Sequence, residues 1–155
     1  MRARSLKRVQ VLPITLERAW DFFSDPGNLA TITPEGMGFH ILSAERPKRM
    51  YAGQLIEYTV SPVLGIPMYW MTEITHVVEG KYFIDEQRFG PYALWHHQHH
   101  FREVAGGVEM TDIVHYKIPL GPLGLLADRL FVRKKLETIF DYRYVAVEKL
   151  FQNQD

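Results

Sequence analysis

One stretch of ten residues, 92–101, constrains the fold of this chain more than any other. It reads Tyr-Ala-Leu-Trp-His-His-Gln-His-His-Phe, without Gly or Pro. Gly90-Pro91 precedes it and Ala105-Gly106-Gly107 follows it. Such breaks predict a β-strand that turns tightly into a second, antiparallel strand.

The two faces of this predicted strand differ in chemistry, because successive side chains of a strand point to opposite sides of the sheet. One face carries Trp95, His97, His99 and Phe101. The other face carries His96, Gln98 and His100. An apolar face with two imidazoles set into it is typical of a pocket wall rather than of a plain core.

Composition excludes several classes of protein. A length of 155 residues with 46% hydrophobic residues predicts one globular domain spanning residues 1–155. The formal net charge is +0, which argues against a nucleic-acid-binding protein. The chain contains no cysteine, so disulfides and thiolate metal sites are excluded. We see no signal peptide and no stretch of roughly 18 apolar residues, and we therefore expect a cytoplasmic protein without integral membrane association.

The first part of the chain predicts one strand and two short helices. Residues 6–13 alternate between apolar and polar side chains, as in a strand. Thr15 is a plausible cap for a helix over residues 16–23, which has helical apolar spacing. Asp25 and Pro26 suit the start of a second helix. Residues 33–36 read as a loop.

Strand patterns and one long helix fill the rest of the sequence. The predicted strands cover residues 37–43, 54–61, 68–78, 81–87, 92–101 and 108–118. A helix is predicted from about Leu123 to about Phe151, with no Gly or Pro after Gly124. Its apolar face carries Leu126, Leu130, Leu136, Ile139, Phe140, Val147 and Leu150.

This order predicts an α+β fold in which an antiparallel sheet of about seven strands wraps around the long C-terminal helix. The two short helices follow the first strand. The helix is the only element large enough to cover the concave face of the sheet, and a cavity is expected between them. The loop over residues 62–67 is expected to act as a lid, with Met68 and Met71 lining the cavity.

Several runs of residues resemble a known superfamily, the START-like or SRPBCC proteins with the helix-grip fold. This superfamily includes polyketide cyclases and dehydrases, lipid-transport domains and small bacterial ligand-binding proteins, and the likeness is strongest to the last. The runs are Ala19-Trp20-Asp21-Phe22-Phe23-Ser24-Asp25-Pro26, Asn28-Leu29, Thr33-Pro34, Phe83-Ile84-Asp85-Glu86-Gln87, Gly90-Pro91-Tyr92, Trp95-His96-His97 with His99, Asp112, Tyr116, Pro119, Gly121, Gly124 and Ile139-Phe140-Asp141-Tyr142-Arg143. The resemblance implies an apolar cavity that holds a small hydrophobic molecule, aromatic or lipid-like.

His97 and His99 are the first candidate site residues. On one strand face their Cα atoms lie about 6.5 Å apart, close enough to share a zinc or iron ion. If the turn after residue 104 is a two-residue hairpin, Asp112 and Tyr116 share their face. Asp112 is then either a third metal ligand or an acceptor that fixes one His tautomer. We favour a metal-free, hydrogen-bonded cluster without any cofactor, because two His and one Asp are a sparse ligand set.

Asp85-Glu86-Gln87 is the second candidate. A carboxylate of this run that faces the histidines is a possible general base, with its pKa tuned by burial. The alternative, which we favour, is salt bridging to Arg88, Arg102 or Arg143.

The sequence thus predicts a protein that binds or carries a small hydrophobic molecule, as a monomer or a homodimer. The residues expected to bind the ligand are Trp70, Trp95, His97, His99, Phe101, Asp112 and Tyr116. The alternative is a cyclase- or aromatase-like enzyme in which His97, His99 and Asp112 serve as acid–base groups. A third possibility is an interaction domain in which the cavity is incidental.

Overall fold

The computed structural model describes residues 3–43, 48–61 and 65–152. Seven antiparallel strands form one sheet in the order β1-β7-β6-β5-β4-β3-β2. The strands are β1 (Arg4–Leu12), β2 (His40–Ile41), β3 (Gln54–Val60), β4 (Met68–Val78), β5 (Tyr82–Phe89), β6 (Leu94–Val104) and β7 (Gly107–Lys117). The α-helices are α1 (Leu16–Phe23), α2 (Gly121–Ala127) and α3 (Arg133–Gln152). The predicted α+β architecture is confirmed.

The β6–β7 hairpin fixes which side chains share a face of the sheet. Val104 pairs with Gly107, so the turn has two residues, and Gly106 in the turn has φ +88°. This left-handed conformation is the one that glycine adopts without strain. His99 consequently lies directly opposite Asp112, as the parity of a two-residue turn predicts.

Two short helical segments follow β1, as expected. The Thr15 hydroxyl caps α1 by accepting a hydrogen bond from the Arg18 amide at 3.3 Å. The second segment, Pro26–Ile32, is a 3₁₀ helix in which the Asp25 carboxylate accepts a hydrogen bond from the Gly27 amide at 2.8 Å.

The strand predicted over residues 37–43 is wrong for most of its length. Only His40–Ile41 pairs with β3, because Glu35–Met37, predicted as the end of a loop and the start of this strand, forms a 3₁₀ turn. Gly38 then adopts a left-handed conformation with φ +54°, which takes the chain out of an extended path. The amide of Ser61 donates to the carbonyl of Met37 at 2.6 Å and ties this turn to the end of β3.

The long C-terminal helix is continuous over residues 121–152 and starts two residues earlier than predicted. A π-helical segment, Asp128–Val132, joins α2 to α3. A π turn adds a residue to the helical repeat and rotates the preceding turns relative to those that follow. This rotation accounts for Leu126, which was expected on the buried face and is 54% exposed, whereas Leu130, 55% exposed, borders the space between the sheet and the helix.

The later part of the helix packs on the sheet as expected. Leu136, Phe140 and Val147 are buried. Asp128 fastens the π-helical segment to the sheet, since it forms an ion pair with Arg4 of β1. The Tyr116 hydroxyl also donates a hydrogen bond to Asp128 Oδ1 at 3.0 Å. The start of the helix is thereby held at the β1–β7 edge of the sheet.

Apolar packing leaves space between the two ends of the sheet. Near α1, Trp20 packs edge-on against Phe83 and Phe101 with ring centroids 6.0 and 5.6 Å apart. Under β3 and β4 a second cluster contains Ile56, Tyr58, Val60, Trp70 and Ile74. A cavity lies between these clusters and the helix.

Candidate functional site

A cavity of about 960 Å³ lies between the concave face of the sheet and α3. This volume is at the upper end of the range for small-molecule sites. Most of its wall is apolar or aromatic, with Ile56, Tyr58, Trp70, Trp95, Leu136 and Phe140 among the lining residues. Trp70 and Trp95 meet edge to face with ring centroids 5.3 Å apart.

Two imidazoles and two carboxylates form a compact cluster at this wall. His97 Nε2 donates to Asp112 Oδ1 at 2.9 Å. His99 Nε2 donates to Asp85 Oδ2 at 2.8 Å. Asp85 comes from β5, the two histidines from β6 and Asp112 from β7, so three neighbouring strands build the cluster.

Each imidazole also approaches the second carboxylate. His97 Nδ1 lies 3.5 Å from Asp85 Oδ2, and His99 Nδ1 lies 3.0 Å from Asp112 Oδ1. The His99 contact is an ionic approach rather than an aligned hydrogen bond, because Nδ1 does not point along the line to the oxygen. The ring centroids of His97 and His99 lie 3.8 Å apart, and the Phe83 ring stacks on His99 with centroids 4.1 Å apart.

Arg143 of α3 contributes a positive charge to the cluster. Its guanidinium lies 3.9 Å from Asp112 Oδ1, and its side chain is 12% exposed. The same group lies 5.8 Å from the ring centroid of Phe23. The long helix therefore contributes both apolar lining and a cation to the site.

The two carboxylates are held in their ionised form. Burial disfavours ionisation of Asp112, but Arg143 and the two histidines outweigh it and hold the pKa of Asp112 well below its usual range. Burial also disfavours ionisation of Asp85, but His97, His99 and Arg143 outweigh it and lower the pKa of Asp85.

The pKa values of the two histidines shift in opposite directions. Burial, together with the neighbouring His99, lowers the pKa of His97. Burial also disfavours the charged form of His99, but its contacts with Asp112 and Asp85 outweigh burial and raise its pKa. A neutral His97 beside a cationic His99 balances the charges, since two carboxylates then face one imidazolium and one guanidinium.

The residues expected to bind the ligand fall into two groups. Trp70, Trp95, His97 and His99 line the cavity. The other three, Phe101, Asp112 and Tyr116, are not among the residues that line the cavity. Phe101 packs in the core against Trp20, and Tyr116 is directed to Asp128. Contrary to expectation, Asp112 does not line the cavity beside the histidines; it contacts His97 Nε2 at 2.9 Å and lies 3.9 Å from Arg143.

Asp85 is the site residue that the sequence pattern left unassigned. Its carboxylate faces the histidines, whereas the salt bridges favoured for this run are formed by Glu86 on the opposite face. Glu86 contacts Arg88 at 3.3 Å and His96 Nδ1 at 2.8 Å. Strand alternation separates Asp85 from Glu86 but does not show which one faces inward.

The lid expected over residues 62–67 lies partly outside the described residues, which resume at Gly65. Met68 lines the cavity as expected. Met71 does not, because it lies on the face of β4 opposite to Trp70 and Thr72, which face inward.

Three side chains of the cluster are able to hold a metal ion. Asp85, His97 and His99 each offer one ligand atom, and these atoms lie within 4.8 Å of one another. In the sequence Asp112 was a candidate either for a third ligand or for an acceptor that fixes a tautomer; it contacts the remaining ring nitrogens.

Across the described part of the chain, no helix has the length and apolar character needed to span a membrane.

Comparisons with known proteins identify the fold. No family model matches the chain. No curated protein matches it either. Among solved structures, protein CV1439 from Chromobacterium violaceum is similar with a TM-score of 0.73 and 14% identity, covering 97% of this chain and 99% of the other. Major latex-like protein 151 from Panax ginseng has a TM-score of 0.70 and 12% identity, with coverages of 97% and 99%.

A third similar structure is Ara h 8.0201, with a TM-score of 0.60, 15% identity and coverages of 94% and 97%. At these identities the likeness concerns the fold. Each alignment spans nearly the whole of both chains, and the seven-stranded antiparallel sheet with its long C-terminal helix agrees with it. The chain therefore has the helix-grip fold, an antiparallel sheet wrapped around a long C-terminal helix.

Proposed function

We propose that this protein binds or carries a small hydrophobic molecule, aromatic or lipid-like, in the cavity between its sheet and α3. The observation that supports the proposal is the cavity itself, about 960 Å³ in volume and lined mainly by apolar and aromatic side chains. Removing an apolar ligand from water contributes about 25 cal/mol per Å² of buried surface. A cavity of this size accommodates a molecule larger than a single aromatic ring.

The His97–His99 pair supplies the polar end of the site. His97 Nε2 donates to Asp112, which leaves Nδ1 of a neutral His97 as an acceptor without a donor among the described residues, 3.5 Å from Asp85 Oδ2 at the cavity wall. A hydroxyl or amide N–H of a ligand fits this acceptor. The ligand is accordingly mostly apolar with one hydrogen-bond donor, and its rings stack beside Trp70 and Trp95.

An acid–base enzyme on the same fold is the second candidate, and the cluster is the observation that favours it. A neutral imidazole beside a cationic one, at the wall of an apolar cavity, provides a proton acceptor next to a proton donor. In that function His97 accepts the proton and His99 donates it, while Asp85 and Asp112 orient the rings. The catalysed reaction is then of the cyclase or aromatase type.

Titration with the apolar dye anilinonaphthalene sulfonate tests the binding proposal. We expect saturable binding of one dye per chain, with quenching of Trp fluorescence because Trp70 and Trp95 line the cavity. The variant Val60→Phe places a bulky aromatic ring in the cavity wall, and we expect it to weaken dye binding by at least about tenfold, or 1.4 kcal/mol.

Val9→Phe is the matched control, because Val9 is 45% exposed on β1. It should leave dye binding unchanged. Equal binding by both variants and the wild type would place the dye elsewhere on the surface and contradict the proposal. Native mass spectrometry of freshly purified protein adds a second measurement, since a bound organic molecule would appear as an added mass.

A further inference from the structure

We infer that Asp85, His97 and His99 form a binding site for one divalent transition-metal ion, with zinc the best fit, at the wall of the cavity. Two histidines and Asp112 alone, as the sequence pattern places them, favoured a metal-free cluster. The structure brings in another carboxylate from β5. Asp85, His97 and His99 offer three ligand atoms within 4.8 Å of one another.

The distances between the ligand atoms suit a small cation. Asp85 Oδ2 lies 2.8 Å from His99 Nε2 and 3.5 Å from His97 Nδ1. Around a tetrahedral zinc ion with bonds of about 2.0–2.1 Å, neighbouring ligand atoms lie about 3.3 Å apart. The two contacts of Asp85 Oδ2 lie within about half an ångström of that spacing, and the ion replaces the proton between His99 and Asp85.

Asp112 is a positioning residue for such a site. It contacts the other nitrogen of each ring, with His97 Nε2 at 2.9 Å and His99 Nδ1 at 3.0 Å. A metal-bound histidine commonly donates its remaining N–H to a carboxylate, which fixes the tautomer and strengthens the ligand. Here Asp112 accepts such a hydrogen bond from His97 Nε2 and approaches His99 Nδ1 without an aligned hydrogen bond, on the side away from the ion.

Charge and access also favour a cation at this position. Asp85 and Asp112 carry two negative charges against the one guanidinium of Arg143, so a metal ion that replaces the proton of His99 supplies the positive charge that balances them. Asp85, His97 and His99 line the cavity, whereas Asp112 does not. An ion held by three protein atoms would keep at least one coordination position open to the cavity for water or a polar ligand atom.

Histidine-rich β6 offers a matched control on its outer face. His96 Nδ1 lies 2.8 Å from Glu86 Oε1, so the same two strands carry a second His–carboxylate pair there. The side chains of this pair are about one-third exposed. Among the interactions of the described residues, Glu86 contacts one imidazole, whereas Asp85 contacts two. Substitutions at Glu86 thus test whether any His–carboxylate pair on these strands would bind the ion.

Calorimetric titration of the full chain with zinc, after treatment with EDTA and its removal, tests the inference. We expect one zinc per chain. Asp85→Asn, which preserves side-chain size, should abolish this binding, and Glu86→Gln should leave it unchanged. Asp112→Asn should retain the stoichiometry and weaken affinity by about 10- to 100-fold. Circular dichroism shows which variants are folded, and His99→Gln replaces Asp85→Asn if the latter is not.

Cobalt provides a spectroscopic measurement of the same site. Bound Co²⁺ should show visible absorption bands of a four- or five-coordinate ion with nitrogen and oxygen ligands, and these bands should be lost in Asp85→Asn. Absence of stoichiometric zinc binding in the folded wild type would overturn the inference, as would zinc affinity that is equal in Asp85→Asn and the wild type. The titration contains no apolar ligand and the dye experiment is run in EDTA, so either proposal can fail without the other.

Discussion

The carboxylates of Asp85 and Asp112 contact the same two imidazoles from opposite sides. Asp85 accepts a hydrogen bond from His99 at 2.8 Å, and Asp112 accepts one from His97 at 2.9 Å. Each carboxylate also lies within 3.5 Å of the other ring. Because the four side chains come from three adjacent strands, removing any one leaves a buried charged or polar group without its partner.

This arrangement predicts that the metal-free protein loses stability in acid. The pKa of Asp112 is lowered in the folded protein, so its contribution to stability is fully present above the unfolded pKa of about 3.9. The contribution is lost as the pH falls below that value towards the folded pKa. Urea unfolding in EDTA between pH 7 and pH 3 should therefore show a falling free energy of unfolding below about pH 4.

Asp112→Asn should make this pH dependence shallower and cost about 1–3 kcal/mol at pH 7, since Arg143 and His97 lose a charged partner. Asp141→Asn is the control, because Asp141 is exposed on α3 in a surface pair with Arg8. An unchanged acid slope in Asp112→Asn would contradict the prediction.

The inner face of the site was predictable because a short-range rule governs it. A strand alternates its side chains and a two-residue turn fixes parity, so His97, His99 and Asp112 could be placed on one face from residues 92–118 alone. Asp85 follows no such rule. β5 pairs with β4 through two irregular positions, and the Gly90-Pro91 break separates it from β6.

The helix shows a second limit of prediction from periodicity. Its extent was nearly correct, because apolar spacing and the absence of breakers are local signals. The π-helical segment Asp128–Val132 could not be predicted from the sequence, because Asp128 is turned inward by partners on β1 and β7 that are distant in sequence. The orientation of Leu126 depends on that segment, and so its exposure could not be inferred from a regular helix.

Packing of α3 on the sheet predicts a large cost for truncating Leu136. This side chain is 5% exposed and lines the cavity, so Leu136→Ala should lower the free energy of unfolding by about 2–5 kcal/mol through lost burial and an enlarged void. Urea unfolding measures the difference. Leu123→Ala is the control at 71% exposure and should change stability by less than about 0.5 kcal/mol. Equal effects at both positions would mean that the helix does not pack as described.

Leu120 offers a stabilising substitution. It has φ +70°, a left-handed conformation that costs a non-glycine residue about 1–2 kcal/mol, and its side chain is 76% exposed. Leu120→Gly should relieve this strain at little loss of burial and raise the melting temperature, although greater freedom of the unfolded chain offsets part of the gain. Leu123→Gly, inside the helix, should lower the melting temperature. A lower melting temperature in both variants would refute the account of strain at Leu120.

The proposed polar end of the site predicts a preference between two aromatic probes. 2-Naphthol and naphthalene differ by one hydroxyl, and in EDTA that hydroxyl can donate a hydrogen bond to Nδ1 of a neutral His97. A net hydrogen bond contributes about 0.5–1.5 kcal/mol, so the wild type should bind naphthol up to about tenfold more tightly than naphthalene. His97→Ala should remove this preference while retaining naphthalene binding, because Trp70 and Trp95 still line the cavity. His96→Ala, on the outer face of β6, should retain the preference. If His97→Ala bound both probes as the wild type does, the polar end of the ligand would have to lie elsewhere in the cavity.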